Sequence, residues 1–86
     1  MEINKLIEIV KEKITKEIII QEINVEDKSF LHVGHKNNFP NKFHIKIIII
    51  SDELKSKKKI DSTKRIYKIL ESELENYIHS IQLSIN

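Results

Sequence analysis

Apolar residues recur at helical spacing from the start of the chain. Ile3, Leu6, Ile7, Val10 and Ile14 fall on one side of a 3.6-residue period, with Lys5, Glu8, Lys11 and Glu12 on the other. This predicts an amphipathic helix that ends near Lys16. The period then changes. Residues 18–25, from Ile18 to Val25, are rich in β-branched side chains and too few for a second helix, so they predict a strand. Residues 27–42 hold the only glycine, Gly34, the only proline, Pro40, and several Asn and Lys residues. A loop of that length in a small domain is often functional.

Residues 43–50 form the strongest strand pattern. The last four of them are isoleucines, apolar on both faces, as expected of a central strand covered on both sides or well protected. Ser51-Asp52-Glu53 offers a cap and first turn for a short helix, and a lysine-rich connector follows over residues 55–59. A long helix is predicted over residues 61–76, with Ile66, Tyr67, Ile69, Leu70 and Leu74 facing inward. Residues 78–85 alternate: His79, Ile81, Leu83 and Ile85 on one face, Ser80, Gln82 and Ser84 on the other. The order helix, strand, strand, short helix, helix, strand predicts an α+β fold. The first two strands pair antiparallel across the loop, and the third joins in parallel through a right-handed crossover. The result is a three-stranded mixed sheet with helices on one face.

Composition narrows the function more than the fold. The 86 residues suit one domain without repeats or a linker. A dinucleotide fingerprint, a P-loop and a nucleophile elbow each need at least two glycines, and this chain has one. Most common nucleotide-dependent enzymes are thereby excluded. The absence of cysteine excludes disulfides, a thiolate nucleophile and any cysteine-held metal centre built from this chain alone. A net charge of +2 does not by itself argue for nucleic acid. No apolar stretch reaches the roughly 18 residues of a membrane span. The acid-bearing amphipathic start is unlike a signal or transit peptide. The expectation is a cytoplasmic protein with neither a membrane partner nor a small-molecule substrate.

Four histidines remain: His32 and His35 in the loop, His44 in the second strand and His79 at the start of the last strand. Imidazole is the commonest neutral metal ligand. A histidine at a strand start is nevertheless more often a hydrogen-bonded structural residue, and two loop histidines three apart are more often solvated. A closed zinc site needs four ligands, and neither cysteine nor clustered carboxylates complete one here. A self-sufficient metal site is not expected; one that lends one or two nitrogens to a shared metal stays open. Lys55, Lys57, Lys58 and Lys59, continued by Lys64, Arg65 and Lys68, make a basic patch around a helix N-terminus. That patch is either a phosphate-contacting surface or, more commonly, a solvated charged face. Asp61, Glu71, Glu73 and Glu75 read as solubilising charges, and no catalytic dyad or triad is found, so no enzymatic activity is expected.

An ordered set of segments resembles the BolA family. They are Lys28-Ser29-Phe30-Leu31-His32-Val33-Gly34-His35, Phe43-His44-Ile45-Lys46 leading into Ser51-Asp52, Tyr67-Lys68-Ile69-Leu70-Glu71-Ser72-Glu73-Leu74, and Ile78-His79-Ser80-Ile81-Gln82-Leu83. The resemblance implies a class II KH-like fold without catalytic activity. It also implies partnership with a monothiol glutaredoxin through a bridging 2Fe–2S cluster, shared with that partner and its glutathione. Ligation would fall to His79 and to His32, with His35 as the alternative, and no cluster is expected in the isolated chain. Imidazole in place of thiolate removes negative charge and raises the reduction potential of such a cluster. It also makes ligation pH-dependent, because a protonated ring cannot coordinate. Bacterial members are also described as transcriptional regulators, which makes DNA an alternative partner, contacted by Lys57, Lys58, Lys59, Lys64 and Arg65. Here the sequence departs from the family: Ser62-Thr63-Lys64 stands where an Arg-His-Arg triplet is common. One glycine also cannot make the Gly-x-x-Gly clamp of RNA-binding KH domains.

Overall fold

The computed structural model describes residues 1–29 and 42–86. The central strand organises everything around it. β1 (Glu22–Asp27), β2 (Phe43–Ile50) and β3 (Ile78–Ile85) form one sheet in the order β1-β2-β3. β1 pairs antiparallel to β2, with Glu22 opposite Ile50 and Asp27 opposite Ile45, and β3 pairs parallel to β2. Because strand side chains alternate, Ile45, Ile47 and Ile49 all point to one face, where they are buried. They meet Leu6, Val10 and Ile14, a stripe at four-residue spacing along α1 (Ile3–Glu17), and Ile66 and Leu70 from the C-terminal half. This is the predicted α+β arrangement, with the core between the sheet and its helices.

Local chemistry sets the helix ends. The Glu2 carboxylate accepts from the Asn4 amide at 3.0 Å at the start of α1. Ser51 caps α2 (Asp52–Lys55) by accepting from the Leu54 amide, and its hydroxyl donates to the Ile19 carbonyl at 2.8 Å. Within α3 (Lys59–Ile69), the buried Ser62 hydroxyl donates to the Leu54 carbonyl at 3.0 Å, which joins α3 to α2.

Several expectations need correction. The single helix over residues 61–76 is two, α3 and α4 (Glu71–Asn76), separated by Leu70 at φ −97°, ψ 15°. No glycine or proline marks the break. Tertiary contacts hold it: Leu70 is fully buried, and Glu73 on α4 is buried against α1, where Lys13 donates to both of its carboxylate oxygens at 2.8 Å. Glu73 is therefore a structural anchor rather than a solubilising charge. Tyr67, expected to face inward, lies 40% exposed. The first strand starts at Glu22, not Ile18. Ile18 packs into the core as the C-cap of α1, while Ile19 is left 71% exposed. Nor is β2 covered on both sides: Ile48 is only partly buried and Ile50 is 41% exposed, on the face that carries no helix among the described residues.

The asymmetry of β2 gives a direct test. Ile47→Ala, at a fully buried position, is expected to cost about 2–5 kcal/mol of unfolding free energy. Ile50→Ala, three residues on and on the opposite face at a 41% exposed position, should cost well under half of that; urea titration of both variants measures the difference.

Candidate functional site

At the start of β3 the two parallel strands fall out of step. Phe43 is opposite Ile78, but His44 is opposite Ser80, so β3 carries one extra residue, His79. The Phe43 amide donates to the Tyr77 carbonyl at 2.8 Å and fixes the entry of both strands. The bulge separates two neighbours: Ile78 turns into the core and is 1% exposed, whereas His79 is exposed. His79 was expected to share the apolar face with Ile81, Leu83 and Ile85; the extra residue takes it off that face.

His44, on the helix-free face, is 4% exposed and lies beside His79. The two imidazole rings meet edge to face, with centroids 4.8 Å apart and planes at 77°. His44 Nδ1 and the Ser80 hydroxyl are 2.6 Å apart, a hydrogen bond that holds the buried ring in orientation whichever partner donates. The backbone of His44 is held too. Its amide donates to the Ser29 hydroxyl at 3.1 Å, its carbonyl accepts from the Lys28 amide at 2.7 Å, and the Ser29 amide donates to the Asp27 carboxylate at 2.9 Å. The exit of β1, the entry of β2 and the entry of β3 thus converge on one pair of histidines.

His79 is accordingly accessible at the start of β3. His32 and His35, the loop candidates, lie outside the described residues. Among the described residues no group of three or more His, Asp or Glu side chains could cage a metal ion. His44 is a member of the site that its place within β2 does not announce. Its signal was the pairing: a parallel third strand entering beside Phe43 sets residues 43–44 against residues 78–80.

The basic candidates divide. Lys57, Lys58, Lys59 and Lys64 are exposed around the start of α3. Arg65 is not directed outward with them: its guanidinium pairs with Glu53 and donates to the Glu17 carbonyl at 2.9 Å, joining α3 to α2 and α1. A cleft of about 450 Å³ lined by Lys13, Lys16, Glu17, Lys68 and Ile69 lies between α1 and α3.

Comparison with known proteins agrees with this architecture. The family model for "BolA-like protein" matches residues 14–86. The chain belongs to the BolA family. It is 33% identical over 78 residues to the "DNA-binding transcriptional regulator BolA" of Haemophilus influenzae, a match covering 91% of this chain and 73% of that protein. It is 29% identical over 79 residues to "SufE-like protein 1, chloroplastic/mitochondrial" of Arabidopsis thaliana, where 86% of this chain spans 21% of the relative. The solved BolA domain of SufE1 from Arabidopsis thaliana superposes with a TM-score of 0.75 at 30% identity, covering 90% of this chain and 85% of that one. No helix among the described residues is long and apolar enough to cross a membrane.

The brace on His44 can be tested without touching either ring. Ser80→Ala removes the 2.6 Å hydrogen bond to a buried imidazole and is expected to cost about 0.5–1.5 kcal/mol. Imidazole nitrogen NMR should show the His44 signals moving by more than those of any other histidine.

Proposed function

We propose that this BolA-family chain is a non-enzymatic cytoplasmic adaptor in iron–sulfur handling, which binds a monothiol glutaredoxin and shares a 2Fe–2S cluster with it. The observation that carries the reading is the bulge that presents His79 to solvent against the edge of a buried, braced His44. Likeness to the BolA domain of SufE1 supports an iron–sulfur setting. His79 would supply a neutral nitrogen, and His32, or His35 in its place, a second donor from the loop. When bound, the cluster would supply electron-accepting iron, held otherwise by thiolates of the partner. This chain's own task is to hold one imidazole in a fixed attitude. His44 restricts the His79 ring, Ser80 restricts His44, and the Ser29 and Lys28 contacts anchor the backbone of His44 to the root of the loop. A ligand restrained in advance loses less rotational freedom on coordination.

The experiment is a titration of glutathione-loaded, cluster-bearing monothiol glutaredoxin with this chain, followed by visible circular dichroism. The wild type is expected to change the cluster's spectrum and His79→Ala to leave it close to that of the glutaredoxin alone. An unchanged wild-type spectrum, or identical changes with both proteins, refutes the reading.

A second reading, DNA binding, is favoured by the printed name of the Haemophilus influenzae relative and by the exposed lysines at the start of α3. Lys57, Lys58, Lys59 and Lys64 would contact phosphates, with Arg65 retained as a structural clamp. Fluorescence anisotropy with duplex DNA should show affinity falling steeply with salt, and each lysine-to-alanine change should reduce the slope of log K against log salt by about 1. Affinity indifferent to ionic strength removes this reading.

A further inference from the structure

The two edges of the sheet differ in one respect that bears on assembly. A sheet edge exposes unpaired backbone donors and acceptors, and natural edges are usually protected by charge, proline or a bulge. β1 is protected: three of its six residues, Glu22, Glu26 and Asp27, are acidic. β3 is not. Its eight residues, Ile-His-Ser-Ile-Gln-Leu-Ser-Ile, include no Asp, Glu, Lys, Arg, Gly or Pro, and its bulge lies only at the start, before Ser80.

The orientation of the free backbone groups follows from the last residue. The Asn86 amide donates to the Ile49 carbonyl at 2.8 Å and its carbonyl accepts from Ser51 at 3.1 Å, so both groups of Asn86 point inward. Backbone groups alternate along a strand, which turns those of Ser84 and Gln82 toward β2 and those of Ile81, Leu83 and Ile85 outward. The side chains of the same three residues pack against the core and remain only partly buried. Along this edge, therefore, the core and the hydrogen-bond ladder are unfinished together among the described residues.

We propose that a second copy of this chain completes β3, antiparallel across a two-fold axis at Leu83. Leu83 would lie opposite the second copy's Leu83, and Ile81 opposite the second copy's Ile85, each pair exchanging backbone hydrogen bonds. A self-complementary interface brings every side chain against its own kind or its symmetry mate, so an uncharged strand suits it and an acidic one does not. The combined sheet has six strands in the order β1-β2-β3-β3-β2-β1 and ends on two acidic edges. Growth stops at two copies. The paired stretch runs from Ile81 to Ile85 and leaves His79 outside it, so the dimer and the candidate ligand site are compatible.

Sedimentation equilibrium tests the interface, with two double variants on the helix-free face. In this register Gln82 stands opposite the second copy's Ser84. Q82K/S84K therefore sets lysine against lysine twice, and Q82E/S84E sets carboxylate against carboxylate. Wild type is expected as a dimer, each variant alone as a folded monomer by circular dichroism, and an equal mixture of the two as a dimer again. Wild type that stays monomeric at millimolar concentration overturns the proposal. So do variants that dimerise alone, a mixture that stays monomeric, or an open-ended polymer. Should the lysine variant fail to fold, the glutamate variant and the wild-type mass still decide.

Discussion

One extra residue between two parallel strands governs both the core and the surface of this protein. Without it, β3 would run in step with β2 from its first residue, and Ile78 and His79 would occupy the faces given by simple alternation. With it, Ile78 closes the core beneath Phe43 and His79 leaves the sheet toward solvent. The stability of the bulge rests on its neighbours. Ile78 is fully inside, worth roughly 1.5–3 kcal/mol of burial, and Ser80 is bonded to a ring that is itself nearly sealed. Sliding the strand back by one residue would expose the isoleucine and bury the histidine, so the arrangement is fixed by the same preference that forms the core.

The polar contacts position helices more than they stabilise the fold. Lys13 is 40% exposed, so its pairing with Glu73 is partly screened, but the carboxylate it holds is 7% exposed and would otherwise be buried alone. The pair holds α4 against α1, at the place where the backbone breaks at Leu70. Arg65 performs a similar service between α1, α2 and α3. Both side chains look like surface charges in the sequence, and both are spent on internal geometry, whereas the lysines at the start of α3 stay exposed.

Much of this could be read from periodicity. α1 shows a clean 3.6-residue stripe, β2 a run of isoleucines and β3 an alternation of apolar and polar residues, so their positions were legible to within a residue. What could not be read depends on contacts between distant residues. Ile18, Ile19 and Ile20 look like the start of a strand, yet Ile18 is drawn into the core at the end of α1. The break at Leu70 has no glycine or proline to announce it. The bulge depends on pairing between residues 36 positions apart, such as His44 and Ser80, and no local pattern encodes it. His79 was legible as a candidate through the resemblance to the BolA family, whereas its exposure and its contact with His44 required the fold.

The proposed chemistry comes down to whether a nitrogen of this chain reaches iron. Pulsed electron paramagnetic resonance on the reduced cluster answers that, with this chain uniformly labelled with nitrogen-15 on histidine and the glutaredoxin unlabelled. Hyperfine coupling to nitrogen-15 is expected in the complex and should be lost with His79→Ala. A fully formed complex whose cluster couples to no nitrogen-15, or whose coupling survives the loss of His79, contradicts the role given to the bulge.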